Sequence, residues 1–211
     1  HTLSGLIVSG IDNLFTLDAQ KTKEDSFTNL LLVGTDTAQI IPSETLDFEG
    51  ANGLYYWELF FHMPFLVAQY LSTAQQFEDA QKWYHYIFDP AAGSDGKNDH
   101  SRFIGLTNNP AETFSEEVTA NLTSKAQLEA YYRDPFDPHA IVRLRPIAYQ
   151  RSVLMHYTDN LISWADQLFL QDTRETLVEA TLLYIMAYDL LGKKPINLGV
   201  IALPAAETLG S

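Results

Sequence analysis

A chain of 211 residues with 27 Asp and Glu against 13 Lys and Arg carries a formal net charge of −14. It should repel phosphate backbones and anionic bilayer surfaces, which argues against nucleic acid as a partner and against adhesion to charged membranes. It has no cysteine, so disulfides, thiol catalysis and cysteine-held zinc are excluded, while 12 Phe, 11 Tyr and 3 Trp supply material for a substantial core.

Residues 1–50 form the first unit of the expected organisation. The opening HTLSGLIVSG lacks the basic segment and full apolar run of a secretory leader. Because it starts at His1, the chain is expected to be a piece of a longer polypeptide. A short helix is expected near Ile11–Asp18, then one or two strands around Leu30–Val33 and Ala38–Ile41, between which Gly34 breaks the run. Such a part is too small to bury a core alone and should lean on its neighbours.

The second unit, residues 51–195, is expected to be helical. Gly50, Asn52 and Gly53 read as a hinge that permits positive φ, with Asn52 or a neighbour as cap. The stretch Leu54–Leu71, LYYWELFFHMPFLVAQYL, is apolar almost all round and is interrupted only by Glu58, His62, Pro64 and Gln69. Those interruptions disfavour a membrane span, because each polar group would need a partner in lipid. A buried helix over Gly53–Ser72, bent near Phe60–Pro64, fits better. A second helix over Gln76–Phe88 places Phe77, Ala80, Trp83, Tyr84 and Ile87 at helical spacing and stops at Asp89-Pro90. Residues 89–123, rich in Gly, Asp and Asn around AAGSDGKNDHS, read as a surface loop.

Short helices are expected over Leu122–Tyr132 and Pro138–Leu144, the second started by Asp137-Pro138. A long helix over Ile147–Leu170 has its apolar stripe at Val153, Leu154, Tyr157, Leu161, Trp164 and Leu168. Asp172 with Glu175 three residues on reads as a cap for a last helix over Glu175–Leu191, which stops at Gly192. Residues 196–211 are expected to be an extended tail. Phe77 to Ala80 and Leu177 to Ala180, followed by Tyr84 and Tyr184, suggest two related hairpins. The fold class is therefore mainly α: packed αα-hairpins in a tetratricopeptide-like scaffold, with a small irregular or β-containing N-terminal part.

Several blocks in fixed order carry a family resemblance. They are Gly50-Ala51-Asn52, the run from Tyr56 to Phe60 (YWELF), Phe77 to Ala80, Asp89-Pro90, DPFDPHAIVRLRPIAYQ, YTDNL and DTRETLVEATLLYIMAYDLLGKKP. Across Phe48–Pro195 the chain resembles the A component of the bacterial insecticidal Tc toxin complexes. The β-rich domain that precedes the aromatic block in that family is represented only by residues 1–47, Arg102–Val118 matches poorly, and the channel-forming region is absent. The resemblance implies a structural part of the helical shell of a secreted, pentameric, pore-forming translocator. Such a translocator binds target cells, opens with pH and passes an enzyme delivered by partner subunits. The implied partners are the remainder of the same subunit, further copies of it, partner toxin subunits and, through other domains, a target-cell membrane or receptor. The alternative is a stand-alone helical module that binds a protein partner in its hairpin groove.

No catalytic, cofactor-binding or metal-binding residue is assigned, and no enzymatic role is expected. Glu58 and His62, four residues apart, could meet His85 at a metal, but a structural hydrogen-bonded pair is the commoner outcome. Any of His1, His62, His85, His100, His139 and His156 could sense pH, given the pH opening that the resemblance implies; for each one taken singly, a plain structural role is favoured, and His100 falls in a solvated loop. Arg133, Arg143, Arg145 and Arg151 are expected to pair with carboxylates such as Asp134 and Asp137 rather than to bind phosphate. No phosphate-cradling glycine loop, serine elbow or HExxH pattern occurs.

Overall fold

Pro64 sets the form of the central helix. Proline has no N–H to donate, and its ring crowds the carbonyl four residues back, here that of Phe60. The computed structural model describes residues 3–8, 10–22, 46–48, 52–91, 100–107, 125, 129, 132–133 and 146–192. In it the helix begins as α4 (Gly53–Trp57), widens into a π turn over Glu58–His62 and resumes as α5 (Met63–Thr73). The disturbance expected at Phe60–Pro64 is thus a single wide turn, the usual form of a π insertion in an α-helix. Phe60 and Phe61, adjacent in sequence, are both buried, at 1% and 0% exposure. The stretch Leu54–Leu71 lies against protein through Phe60, Phe61 and Ala68, and among the described residues no helix is long and apolar enough to cross a bilayer.

The expected hinge has a different physical basis. Asn52 occupies the N-cap position without a side-chain capping bond, and Gly53 does not take a positive φ. Gly53 is required by space: a Cβ there would lie 2.3 Å from the Phe48 carbonyl oxygen.

Gln75, in the left-handed region at φ 62°, turns the chain into α6 (Phe77–Tyr84). This helix is shorter than the expected Gln76–Phe88. Ile87 N–H reaches back only three residues to the Tyr84 carbonyl at 2.9 Å, tightening the end as helix termini often do. An isolated antiparallel bridge follows between Phe88 and Ser101, with Asp89 N–H donating to the His100 carbonyl at 2.8 Å and Arg102 N–H to that of Ile87 at 2.7 Å. Part of the expected surface loop then returns to the core, correcting that expectation: α7 (Ile104–Thr107) buries Leu106, and Phe103 before it is fully enclosed.

The long helix α8 (Pro146–Phe169) and the last helix α9 (Arg174–Leu191) stand where expected. The cap of α9 is one residue later than expected. Asp172 is left-handed at φ 50°, and Thr173 caps by exchanging bonds with Thr176, Oγ1 of each accepting the other's backbone N–H at 3.2 Å. Gly192, at φ 69°, ends the helix.

The N-terminal part contains short helices, α1 (Leu3–Val8), α2 (Ile11–Leu14) and α3 (Leu17–Gln20). The expected Ile11–Asp18 helix is broken at Thr16, whose hydroxyl accepts the Ala19 N–H at 3.1 Å and so starts a new helix. No strand occurs among the described residues. The strands expected at Leu30–Val33 and Ala38–Ile41, the Pro138–Leu144 helix and the tail over 196–211 lie outside them. Lys125, Glu129, Tyr132 and Arg133 are helical, in keeping with a helix around Leu122–Tyr132.

Among the described residues, two adjoining clusters make the core. The larger gathers Phe15, Phe48, Trp57, Phe60, Phe61 and Phe103 with their neighbours; the smaller, between hairpin α5–α6 and hairpin α8–α9, holds Ala68, Ala80, Tyr84, Tyr157, Leu161 and Ala187. Edge-to-face rings dominate the first: Phe15 meets Phe60 at 6.4 Å, and Phe103 meets Phe48 at 5.1 Å and Trp57 at 4.7 Å. The proposed likeness of the two hairpins is partial. Ala80 and Ala180 are both fully buried, but Tyr84 is 1% exposed and Tyr184 37%, its hydroxyl bonded to Asp166.

Phe61→Ala is expected to cost about 3–5 kcal/mol by urea unfolding, as for other buried aromatic truncations. Gly53→Ala should cost about 1–3 kcal/mol through overpacking. Leu66→Ala, on the exposed side of α5, should stay within about 0.5 kcal/mol.

Candidate functional site

The sequence candidates do not come together as a metal site. Glu58 is exposed, whereas His62 is half-buried among rings, 5.1 Å from Phe61, 5.6 Å from Tyr149 and 6.2 Å from Trp57. His85 engages Tyr157 instead. Among the described residues no group of three His, Cys, Asp or Glu is placed to hold an ion. His156 packs on Phe65 at 5.2 Å and donates Nδ1–H to the Ser152 carbonyl at 2.8 Å. His100 is not in open solvent: it is half-buried and donates Nδ1–H to the Asp89 carbonyl at 2.9 Å. Arg133 and Arg151 are exposed. His1, His139, Arg143, Arg145, Asp134 and Asp137 lie outside the described residues.

What the fold does assemble is a polar joint where the end of α6, the bridge segment and α8 meet. Gln81 Nε2 donates to the Tyr157 hydroxyl at 3.0 Å. The same hydroxyl lies 3.1 Å from His85 Nε2, within hydrogen-bond reach. Burial pushes His85 below its ordinary range; Arg102 adds to this and Asp89 works against it. Burial also raises the Tyr157 hydroxyl, and it carries that of Tyr84, with help from Asp159, to about 12. Both phenols therefore stay protonated at neutral pH.

Asp89 closes the joint. Its carboxylate accepts from the Ala91 N–H at 3.0 Å and from the Arg102 guanidinium at 2.6 and 3.2 Å. Burial favours its neutral form, but these bonds outweigh that effect and hold its carboxyl below the usual range. Beside the joint, between the bridge and α8, lies a cavity of about 350 Å³. Its walls are Ile87, Phe88, Leu106, Val153 and Leu154, with His100, Gln150 and Arg151 as polar lining.

Two further polar side chains pin elements together from inside. Gln20 is 1% exposed; its Nε2 donates to the Arg102 carbonyl and its Oε1 accepts the Ile104 N–H, both at 2.9 Å. Asn160, fully buried, donates to the Phe77 carbonyl at 3.2 Å. Sequence reasoning missed both. The only available signal was a polar residue beside an apolar stripe position, Gln20 after Ala19 and Asn160 before Leu161. The arrangement ties helices together.

No family model matches the chain. It is 36% identical over 161 residues to toxin subunit YenA2 of Yersinia entomophaga, a match that takes in 72% of this chain and 10% of that one. The cryo-EM structure of Morganella morganii TcdA4 aligns with 84% of this chain and 7% of its own, at TM-score 0.54 and 31% identity. That of Yersinia pseudotuberculosis TcaA-TcaB aligns with 92% of this chain and 9% of its own, at TM-score 0.56 and 26% identity. The chain thus spans about a tenth of the length of the curated relative it matches.

The joint makes a pH prediction. His85 is depressed in the folded state from its ordinary 6.5, so above that value it is neutral in both folded and unfolded chains. Below it, the unfolded chain takes up a proton that the folded joint resists, and stability falls. Urea midpoints should therefore drop between pH 7 and pH 5 by more in the wild type than in His85→Gln. Equal drops would contradict the assignment.

Proposed function

From the premise that this chain belongs to the Tc toxin component family, as a segment of such a subunit, we propose that it is a structural part of the helical shell of an A component. Its extended identity to a toxin subunit carries this reading. The complete protein, in this account, is a secreted homopentamer with insecticidal activity that serves virulence. It binds a target-cell membrane or receptor through other domains, opens with pH, forms a pore and delivers an enzyme supplied by partner toxin subunits. Residues 51–195 form a unit of wall, in which hairpins stack as in a helical repeat scaffold. Residues 1–50 are its junction to a neighbouring domain, and residues 196–211 are an outgoing connection. The role is mechanical rather than catalytic.

Phe15 and Gln20 fasten the N-terminal helices to the wall, Phe15 through Phe60, Trp83 and Tyr86 and Gln20 through the segment before α7. A junction fixed by interior contacts transmits the position of one domain to the next.

Electron microscopy of the intact subunit tests the proposal. Fivefold particles are expected, with conductance across lipid vesicles after a pH change. Phe61→Ala together with Phe103→Ala should abolish the particles. A subunit that stays monomeric and gives no conductance would contradict the proposal.

A further inference from the structure

Asn52-Gly53, at the start of the central helix, is the one Asn-Gly pair in the chain. Asparagine before glycine is the pair most prone to deamidation, because a residue without Cβ leaves its backbone nitrogen open to attack the preceding side chain. In that reaction the Gly53 nitrogen loses its proton and attacks Asn52 Cγ. A C–N bond forms, the bond to the side-chain amide nitrogen breaks, and ammonia leaves. Water then opens the five-membered succinimide at either carbonyl, giving aspartate or isoaspartate.

The fold cannot dispense with the glycine. A Cβ at position 53 would lie 2.3 Å from the Phe48 carbonyl oxygen and 2.7 Å from its carbon. Phe48 cannot swing aside, because its buried ring meets Tyr56, Phe60 and Phe103 edge-on. A larger residue at 53 would slow the reaction, and the packing excludes it. Asn52 is exposed and its side chain makes no capping bond, so water reaches it.

Backbone geometry supplies the protection that the residue types do not. Ring closure needs the Gly53 nitrogen on the Cβ side of Asn52, nearly coplanar with Cα, Cβ and Cγ. Asn52 has ψ 0°, which eclipses the Gly53 nitrogen with the nitrogen of Asn52 itself and turns it away from Cβ. Rotating it toward Cγ would lift Gly53 off the Phe48 carbonyl. It would also strain the 3.1 Å bond from the Tyr56 N–H to the Asn52 carbonyl. Misplacing reacting atoms by about 1 Å costs on the order of 100-fold in rate.

We infer that Asn52 is a deamidation site held latent by the docking of α4 on Phe48, and that isoaspartate formed there releases this docking irreversibly. Isoaspartate routes the backbone through Cβ and lengthens it by one carbon–carbon bond, about 1.5 Å. A cradle without space for a methyl group at Gly53 cannot absorb that shift. A helix start that opens long enough to react therefore does not dock again. The pair records each lasting opening of the first turn of the central helix, whatever the chain's role in a larger assembly.

The test follows deamidation of the 211-residue chain in mild alkali, folded and in guanidinium chloride, peptide by peptide by mass spectrometry. Asn52 should be the fastest site in denaturant and on the order of 100-fold slower in the folded chain. Equal rates at Asn52 in the two conditions would overturn the latency. Phe48→Ala should raise the native rate at Asn52 toward the denatured one, whereas Leu66→Ala should leave it unchanged. A Phe48→Ala chain that folds and keeps the wild-type rate would remove Phe48 from the mechanism. Independently of that variant, wild-type chains carrying isoaspartate at 52 can be separated by chromatography and compared with Asn52→Asp. The isoaspartate form should exchange its amides over Tyr56–Phe60 faster, and equal exchange would overturn the release.

Discussion

The hydrogen bond that Pro64 cannot make governs the geometry on which the rest depends. An unbroken α-helix through LYYWELFFHMPFLVAQYL would drive the proline ring into the Phe60 carbonyl. Widening the turn at Glu58–His62 relieves that conflict and lets two consecutive phenylalanines bury fully. Around them close the elements that would otherwise have no core of their own: Phe15 from the N-terminal helices, Phe48 before the central helix and Phe103 after the bridge. Each brings a ring to the same cluster, and the edge-to-face contacts among them favour one arrangement over slippage.

Aromatic burial supplies attraction but little direction, and the interior polar groups supply the direction. Gln20 holds the Arg102 carbonyl and the Ile104 N–H, Asn160 fixes α8 to the start of α6, and Tyr157 accepts from Gln81 while pairing with His85. Each such group would cost about 1–3 kcal/mol if left unpaired, so an alternative packing that kept the rings together but shifted a helix would be penalised.

Helix positions were legible wherever the period was long and the ends were marked. The Ile147–Leu170 and Glu175–Leu191 expectations differ by only a residue from α8 and α9, because the apolar stripe and Gly192 both signal them. The capping residue of α9 was not, since Asp172 and Thr173 are both good caps and only backbone geometry chooses between them. The role of Phe103 and Leu106 was hidden because polar, glycine-rich surroundings mask two apolar residues whose partners are distant in sequence. For the same reason the sequence hides the His85–Tyr157 joint: its members are 72 residues apart, and the hairpin turn points to Glu58 and His62 as nearer neighbours of His85. Family membership was legible because it rests on ordered blocks of residues rather than on any contact.

The claim most exposed to test is that the Glu58–Ala68 stretch is the buried spine of the fold. Amide hydrogen exchange of the 211-residue chain, followed by mass spectrometry, measures this directly. Peptides covering Phe60–Ala68 and Tyr157–Ala165 should exchange slowest, at a single rate set by global unfolding. Exchange of the Phe60–Ala68 peptide as fast as that of Leu170–Thr173, at the exposed turn between α8 and α9, would contradict the account.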